Sequence, residues 1–193
     1  MVKPLKVGFD LDGVILYNPV RTLRPVASSL KFLKKLILRQ QPDSFYFPKT
    51  FIEKEIWRLL HKTSYKIADG VDDIKELAVS GRIEPYIVTA RYSFLKEDFQ
   101  DWIRKLNNKP YFKYYHYNKN NMQPNAFKEH MIRQLGLDVF VEDNWGVIQR
   151  LNGALSKTKV LWISNFLDRN IGYPYKFMNL KEAVGYLNNI TTG

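Results

Sequence analysis

The chain has 193 residues, 45% of them apolar and 15% aromatic, enough for one well-buried α/β domain carrying a small insertion. It contains no cysteine, which excludes disulfides, thiolate zinc sites and a cysteine nucleophile. A formal charge of +11 favours anionic partners such as nucleic acid, nucleotides and phosphate esters, and serves equally as a plain solubility surface.

No apolar run approaches bilayer-spanning length, and the N-terminus reaches its first strand without a signal-peptide layout. A cytoplasmic protein with no membrane partner is therefore expected. The apolar run Val7-Gly8-Phe9 ends in Asp10-Leu11-Asp12-Gly13. Residues two apart on a strand share a face, so Asp10 and Asp12 emerge together where the strand ends. Gly13 lets the backbone turn away without a Cβ penalty. Two carboxylates this close repel one another, which favours a divalent cation beside them; a strand running into an ordinary Asp-Gly turn is the other reading.

Residues 17–69 read as a helical, basic insertion. Pro25 suits a first helical turn, and Val26, Leu30, Leu33 and Ile37 follow at helical spacing up to a turn at Gln41-Pro42-Asp43. Thr50 and Glu53 have the spacing of a capping box. Ile52, Ile56, Leu59 and Leu60 then supply an apolar face, while Lys54, Arg58 and Lys62 recur every four residues as a basic stripe. From Tyr17 to Gly70, eleven Lys or Arg stand against four Asp or Glu, so most of the net charge lies here. For Phe45-Tyr46-Phe47 and Trp57 two roles stand, nucleobase stacking and the core of a small bundle.

From Gly70 the pattern alternates. It predicts a helix from Val71 to Ser80 closed by Gly81, then a strand over Glu84-Pro85-Tyr86-Ile87-Val88 leading to Thr89-Ala90-Arg91. Ser93 is placed to cap a helix with Phe99, Trp102, Ile103 and Leu106 inward, and Tyr111 to Tyr117 is strand-like. A helix from Pro124 to Leu135 ends at Gly136, and a strand over Asp138-Val139-Phe140-Val141 runs into Glu142-Asp143-Asn144. A helix from Trp145 to Leu155, a strand from Lys159 to Ile163 and a helix from Leu180 to Asn188 complete the chain. Strands alternating with helices imply a parallel sheet covered on both faces, with ligands beyond the carboxyl ends of the strands. Asp10/Asp12, Thr89/Arg91 and Glu142/Asp143 each fall there. His61, His116 and His130 have no metal-binding spacing.

Taken in order, four segments resemble the motifs of the haloacid dehalogenase-like (HAD) phosphohydrolase superfamily. They are Phe9-Asp10-Leu11-Asp12-Gly13-Val14, Ile87-Val88-Thr89-Ala90-Arg91, Lys128 ahead of Leu135-Gly136-Leu137, and Val139-Phe140-Val141-Glu142-Asp143-Asn144. The closing stretch, Tyr173-Pro174-Tyr175-Lys176 before Asn179-Leu180-Lys181-Glu182-Ala183, resembles small nucleotidases of the 5'(3')-deoxyribonucleotidase-like subgroup. The resemblance implies a doubly wound, mostly parallel Rossmann-like α/β core at residues 1–16 and 70–193, with residues 17–69 as a helical cap over the site.

It also implies Mg²⁺-dependent hydrolysis of a phosphomonoester. Asp10 would be the nucleophile, and Asp12 the acid and then the base. Asp10, the backbone carbonyl of Asp12 and Asp143 would hold the metal, with Glu142 a ligand or a supporting partner. Thr89 and the Ala90 N–H would bind the phosphoryl oxygens, and Lys128, with Lys119 as alternative, would neutralise charge there. Arg91 would touch phosphate or pair with a nearby carboxylate. Nucleotide monophosphates are the expected substrates; sugar phosphates, DNA or RNA termini reached through the basic cap, and a non-catalytic binding module are the alternatives.

Overall fold

The computed structural model describes residues 3–18, 45–107 and 112–192. The first part of the chain supplies β1 (Leu5–Phe9), β2 (Leu16–Tyr17), α1 (Phe51–Lys62), β3 (Lys66–Ile67), α2 (Val71–Val79) and β4 (Ile83–Tyr92). After these come α3 (Lys96–Asn107), β5 (Tyr114–Asn118), α4 (Pro124–Leu135), β6 (Val139–Glu142), α5 (Trp145–Ala154), β7 (Lys159–Ile163), β8 (Lys176–Phe177) and α6 (Leu180–Thr192). Six strands form one sheet in the order β5-β4-β1-β6-β7-β8, and every pairing in it is parallel. From β1 the chain builds outward through β4 and β5, then crosses back to build β6, β7 and β8 on the other side. Such a reversal leaves a crevice beyond the carboxyl ends of the central strands. This is the doubly wound, mostly parallel α/β architecture that the alternating pattern predicts.

The two faces of the sheet carry separate apolar layers, because neighbouring strand residues point to opposite sides. Val7, Phe9, Ile87, Val141 and Leu161 pack against α2, α3 and α6. Tyr86, Val88, Phe140, Val160 and Trp162 pack against α4 and α5. Asp10 and Glu142 share the parity of Gly8 and Phe140, and so belong to the side that α4 covers.

Several expectations shift. β4 runs on through Thr89, Ala90 and Arg91 to Tyr92, with a register irregularity against β5 between Thr89 and Tyr92. Ser93 does not cap a helix; its N–H and hydroxyl bond to the side chain of Asn121, and a short 3₁₀ turn precedes α3. β2 and β3, absent from the sequence reading, pair antiparallel at the base of the insertion. Neither two-residue strand is long enough to show a period. The predicted helix around Leu30 and the turn at Pro42 lie outside the described residues, as does Tyr111.

Helix α1 forms as its capping box predicts, with the Thr50 hydroxyl accepting from Glu53 N and the Glu53 carboxylate accepting from Thr50 N. Phe51, Ile52, Ile56 and Leu59 are exposed, while Lys54, Trp57, Arg58 and His61 are half-buried. Arg58 donates to the Phe94 carbonyl at 3.4 Å, and Trp57 lies 6.0 Å from the ring of Tyr46. Helical periodicity identifies an apolar stripe but not the surface that receives it.

Gly70 starts α2 at φ +105°, and a Cβ there would stand 2.8 Å from the backbone nitrogen of Lys181. Backbone strain and overlap with α6 both oppose a side chain. Gly70→Ala should cost about 2 kcal/mol of stability, read as a lower urea midpoint with an unchanged slope.

Candidate active site

Four buried carboxylates and two buried cations meet at the carboxyl ends of β1, β4 and β6: Asp10, Asp12, Glu142 and Asp143 with Arg91 and Lys128. Lys128 lies on α4 in the same buried stripe as Pro124, Phe127, Met131 and Ile132. A lysine in such a stripe is kept only by partners of opposite charge. Its Nζ donates to Asp10 Oδ2 at 2.8 Å and to Glu142 Oε2 at 2.5 Å. The other oxygen of Asp10 accepts from Leu11 N at 2.8 Å, and that of Glu142 accepts from the N–H groups of Asp143 and Asn144. Asn144 caps α5, and the Trp162 indole donates to the Asp143 carbonyl, so the Glu-Asp-Asn turn is tied at each residue.

Burial, reinforced by neighbouring carboxylates, pushes the Asp10 and Glu142 carboxyls above their ordinary range despite Lys128. For the Lys128 ammonium, burial disfavours the charge, but Asp10 and Glu142 outweigh that and raise its pKa. Ligand atoms of Asp10, Glu142 and Asp143 all lie within 4.8 Å of one another. Three carboxylates at that spacing, in a cluster with more negative than positive charge, fit a hard divalent cation such as Mg²⁺.

Asp12 is held differently. Arg91 reaches it from β4 with two bonds, Nε to Oδ2 and Nη2 to Oδ1, both at 2.7 Å. Ser64 adds a bond to Oδ1 at 3.0 Å, and the third guanidinium nitrogen pairs with Asp98 on α3. Burial alone would raise the Asp12 pKa, but the Arg91 guanidinium holds the carboxyl well below its ordinary value of 3.8.

No protein-family model and no curated protein matches the sequence, but solved structures match its fold. YfnB from Bacillus subtilis, in a magnesium-bound crystal form, superposes with a TM-score of 0.61 at 16% identity, covering 97% of this chain and all of that one. CbbY from Rhodobacter sphaeroides, in complex with phosphate, gives 0.58 at 14% identity over 94% and 96% of the two chains. A HAD-superfamily hydrolase from Ehrlichia chaffeensis gives 0.54 at 13% identity over 98% of each. The fold is that of the HAD hydrolases.

Of the residues singled out from the sequence, Asp10, Asp12, Thr89, Arg91, Lys128, Glu142 and Asp143 are buried. Thr89 is buried at the end of β4, inside the strand and not at a helix start, and Ala90 follows it. Of the two roles open to Arg91, the structure shows carboxylate pairing. Lys119, the alternative to Lys128, is exposed in the turn after β5. Ser64, Asp98 and His61 were not anticipated. His61 is half-buried on α1, with Nδ1 2.8 Å from the Trp57 carbonyl; burial lowers its pKa, and Asp12 and Arg91 are near enough to act on it. Ser64 has no local signal, because its partner Asp12 lies 52 residues away.

The folded-state pKa of Asp12 lies below its unfolded value, so its contribution to stability is complete above about pH 4 and declines as pH falls below that. The difference in urea midpoint between the wild type and Asp12→Asn should be largest at pH 6–7 and narrow steadily below about pH 4.

Proposed function

We propose that the protein is a Mg²⁺-dependent phosphomonoester hydrolase acting through a phosphoryl-enzyme on Asp10. The observation that carries this reading is the buried Lys128 ammonium bridging Asp10 and Glu142, with Asp143 alongside, at the sheet crevice. It puts an anchored carboxylate nucleophile, a fixed cation and a metal-binding donor set in one place. Asp10, Asp143 and the Asp12 backbone carbonyl would hold the cation, with Glu142 at its edge. A bound Mg²⁺ would keep the carboxylates ionised and withdraw charge from the phosphoryl oxygens.

The residues of the chain divide the remaining work. An Asp10 oxygen attacks phosphorus as the ester bond breaks, forming an acyl phosphate. Asp12 gives a proton to the departing oxygen, then takes one from the water that releases phosphate; the first role requires that the negative charge of a bound phosphoester raise its pKa above the value the Arg91 fork sets in the free protein. Lys128 offsets the charge that Asp10 shares with the phosphoryl group, and the Thr89 hydroxyl and Ala90 N–H take up its oxygens. Residues 17–69 act as the cap over the site, the remainder as its core.

A small sugar phosphate is the favoured substrate class. CbbY was crystallised with phosphate and, as a variant, with xylulose-(1,5)bisphosphate, and its fold matches over nearly the whole chain. Trp57 and His61 on the half-buried face of α1, with rings 6.3 Å apart, support a nucleotide as the second reading.

Phosphate release should be followed for p-nitrophenyl phosphate, glucose 6-phosphate, ribose 5-phosphate, AMP, dAMP and a 3'-phosphorylated oligonucleotide, with Mg²⁺ and with EDTA. Turnover should require Mg²⁺ and fall about 10³-fold or more in Asp10→Asn. Activity confined to the oligonucleotide and steeply salt-dependent would move the substrate to nucleic-acid ends. A folded, Mg²⁺-binding protein that turns over none of them would be a binding module.

A further inference from the structure

We propose that His61 is a specificity-determining residue, its Nε2 accepting a hydrogen bond from a hydroxyl of the group that leaves the phosphate. This rests on the phosphatase reading above and narrows it to esters whose leaving group carries free hydroxyls, a sugar or a ribosyl group.

His61 occupies the last turn of α1, where its carbonyl accepts from Ser64 N at 3.1 Å. The Ser64 hydroxyl in turn reaches Asp12 Oδ1 at 3.0 Å. His61 therefore stands one helical turn from a direct contact with the site, and Asp12, Arg91 and Asp98 all act electrostatically on its ring. It is half-buried, on the same face of the helix as Lys54, Trp57 and Arg58.

One contact fixes which ring nitrogen donates. Nδ1 lies 2.8 Å from the Trp57 carbonyl, and a carbonyl oxygen only accepts, so Nδ1 carries the proton. Burial lowers the pKa of the ring, which leaves it uncharged at neutral pH with a lone pair on Nε2. That nitrogen has no partner among the described residues, and it is not one of the polar atoms sealed without a partner in the interior. It is thus an open, unused acceptor.

An acceptor there does not suit the phosphoryl group, whose oxygens call for donors, the part given to Lys128, Thr89 and the Ala90 N–H. Asp12, the nearby carboxylate, has both oxygens taken up by Arg91 and Ser64. The leaving group is what remains for Nε2, and a hydroxyl supplies the donor. One turn back along α1, Trp57 sets its indole 6.3 Å from the imidazole. A sugar offers an apolar C–H face and a rim of hydroxyls, and an aromatic plane beside one fixed acceptor matches both.

The test separates hydroxyl recognition from general catalysis. Values of kcat/KM should be measured on ribose 5-phosphate, glucose 6-phosphate and AMP, and on n-propyl phosphate and p-nitrophenyl phosphate, whose leaving groups bear no second hydroxyl. The readout is the ratio between the fastest of the first three, which tells a free sugar from a nucleoside, and n-propyl phosphate. His61→Phe should lower that ratio about tenfold, the loss expected for one hydrogen bond. His61→Gln, whose amide oxygen reaches about as far as Nε2, should recover most of it. A ratio unchanged in His61→Phe overturns the contact while leaving the phosphatase reading intact, and so does a wild type that hydrolyses only the two hydroxyl-free esters. A wild type inactive on every ester overturns both.

Discussion

The contact on which the site depends is the ammonium of Lys128 set between Asp10 and Glu142. These groups sit in an interior built from Phe127, Met131, Ile132 and Phe140, where an uncompensated charge is expensive. Removing one partner of such a buried pair costs about 3–5 kcal/mol, a large part of the roughly 5–15 kcal/mol that holds a domain together. The same contact fixes where Asp10 points, anchors the turn after β6 through Glu142, and ties α4 to the sheet. Structure and chemistry rest on the same three side chains.

Around that contact the molecule separates two electrostatic environments only two residues apart. Asp10 shares its surroundings with Glu142 and Asp143 and is pushed towards neutrality by burial and like charge. Asp12 sits in a guanidinium fork and is pushed towards full ionisation. The parity of the strand accounts for their emergence together, but not for this division. It comes from what each meets across the fold, α4 for Asp10 and the end of β4 for Asp12.

Much of the site was legible in the residue order. Asp10, Asp12, Thr89, Arg91, Glu142 and Asp143 all follow short apolar runs that end in polar residues, and parallel strands bring such ends to one edge; Lys128, on α4, was indicated by the family resemblance alone. The alternation of strands and helices is likewise a local signal, since periods of two and of about 3.6 reflect which face is buried. What failed was also local in origin. Ser93 looks like a helix cap, yet Asn121 occupies it. The apolar stripe of α1 is present, yet Ile52, Ile56 and Leu59 are exposed while Trp57, Arg58 and His61 are half-buried.

The sequence by itself determined the order of the strands and helices, the two-faced sheet and the residue types gathered at its carboxyl edge. Each of these depends on spacing within a dozen or so residues, which hydrophobic periodicity and strand parity report directly. Only the tertiary structure decided that Ser64 and Arg91 close on Asp12, that Asp98 backs Arg91, and that α1 leaves Ile52, Ile56 and Leu59 exposed. The Asp12 pairs are separated by 52 and 79 residues, Arg91 and Asp98 by 7 across the end of β4 and the start of α3, and the exposure of a helix face depends on which surface it meets once the chain has folded back. No pattern along the chain encodes a distance between two elements; packing sets it.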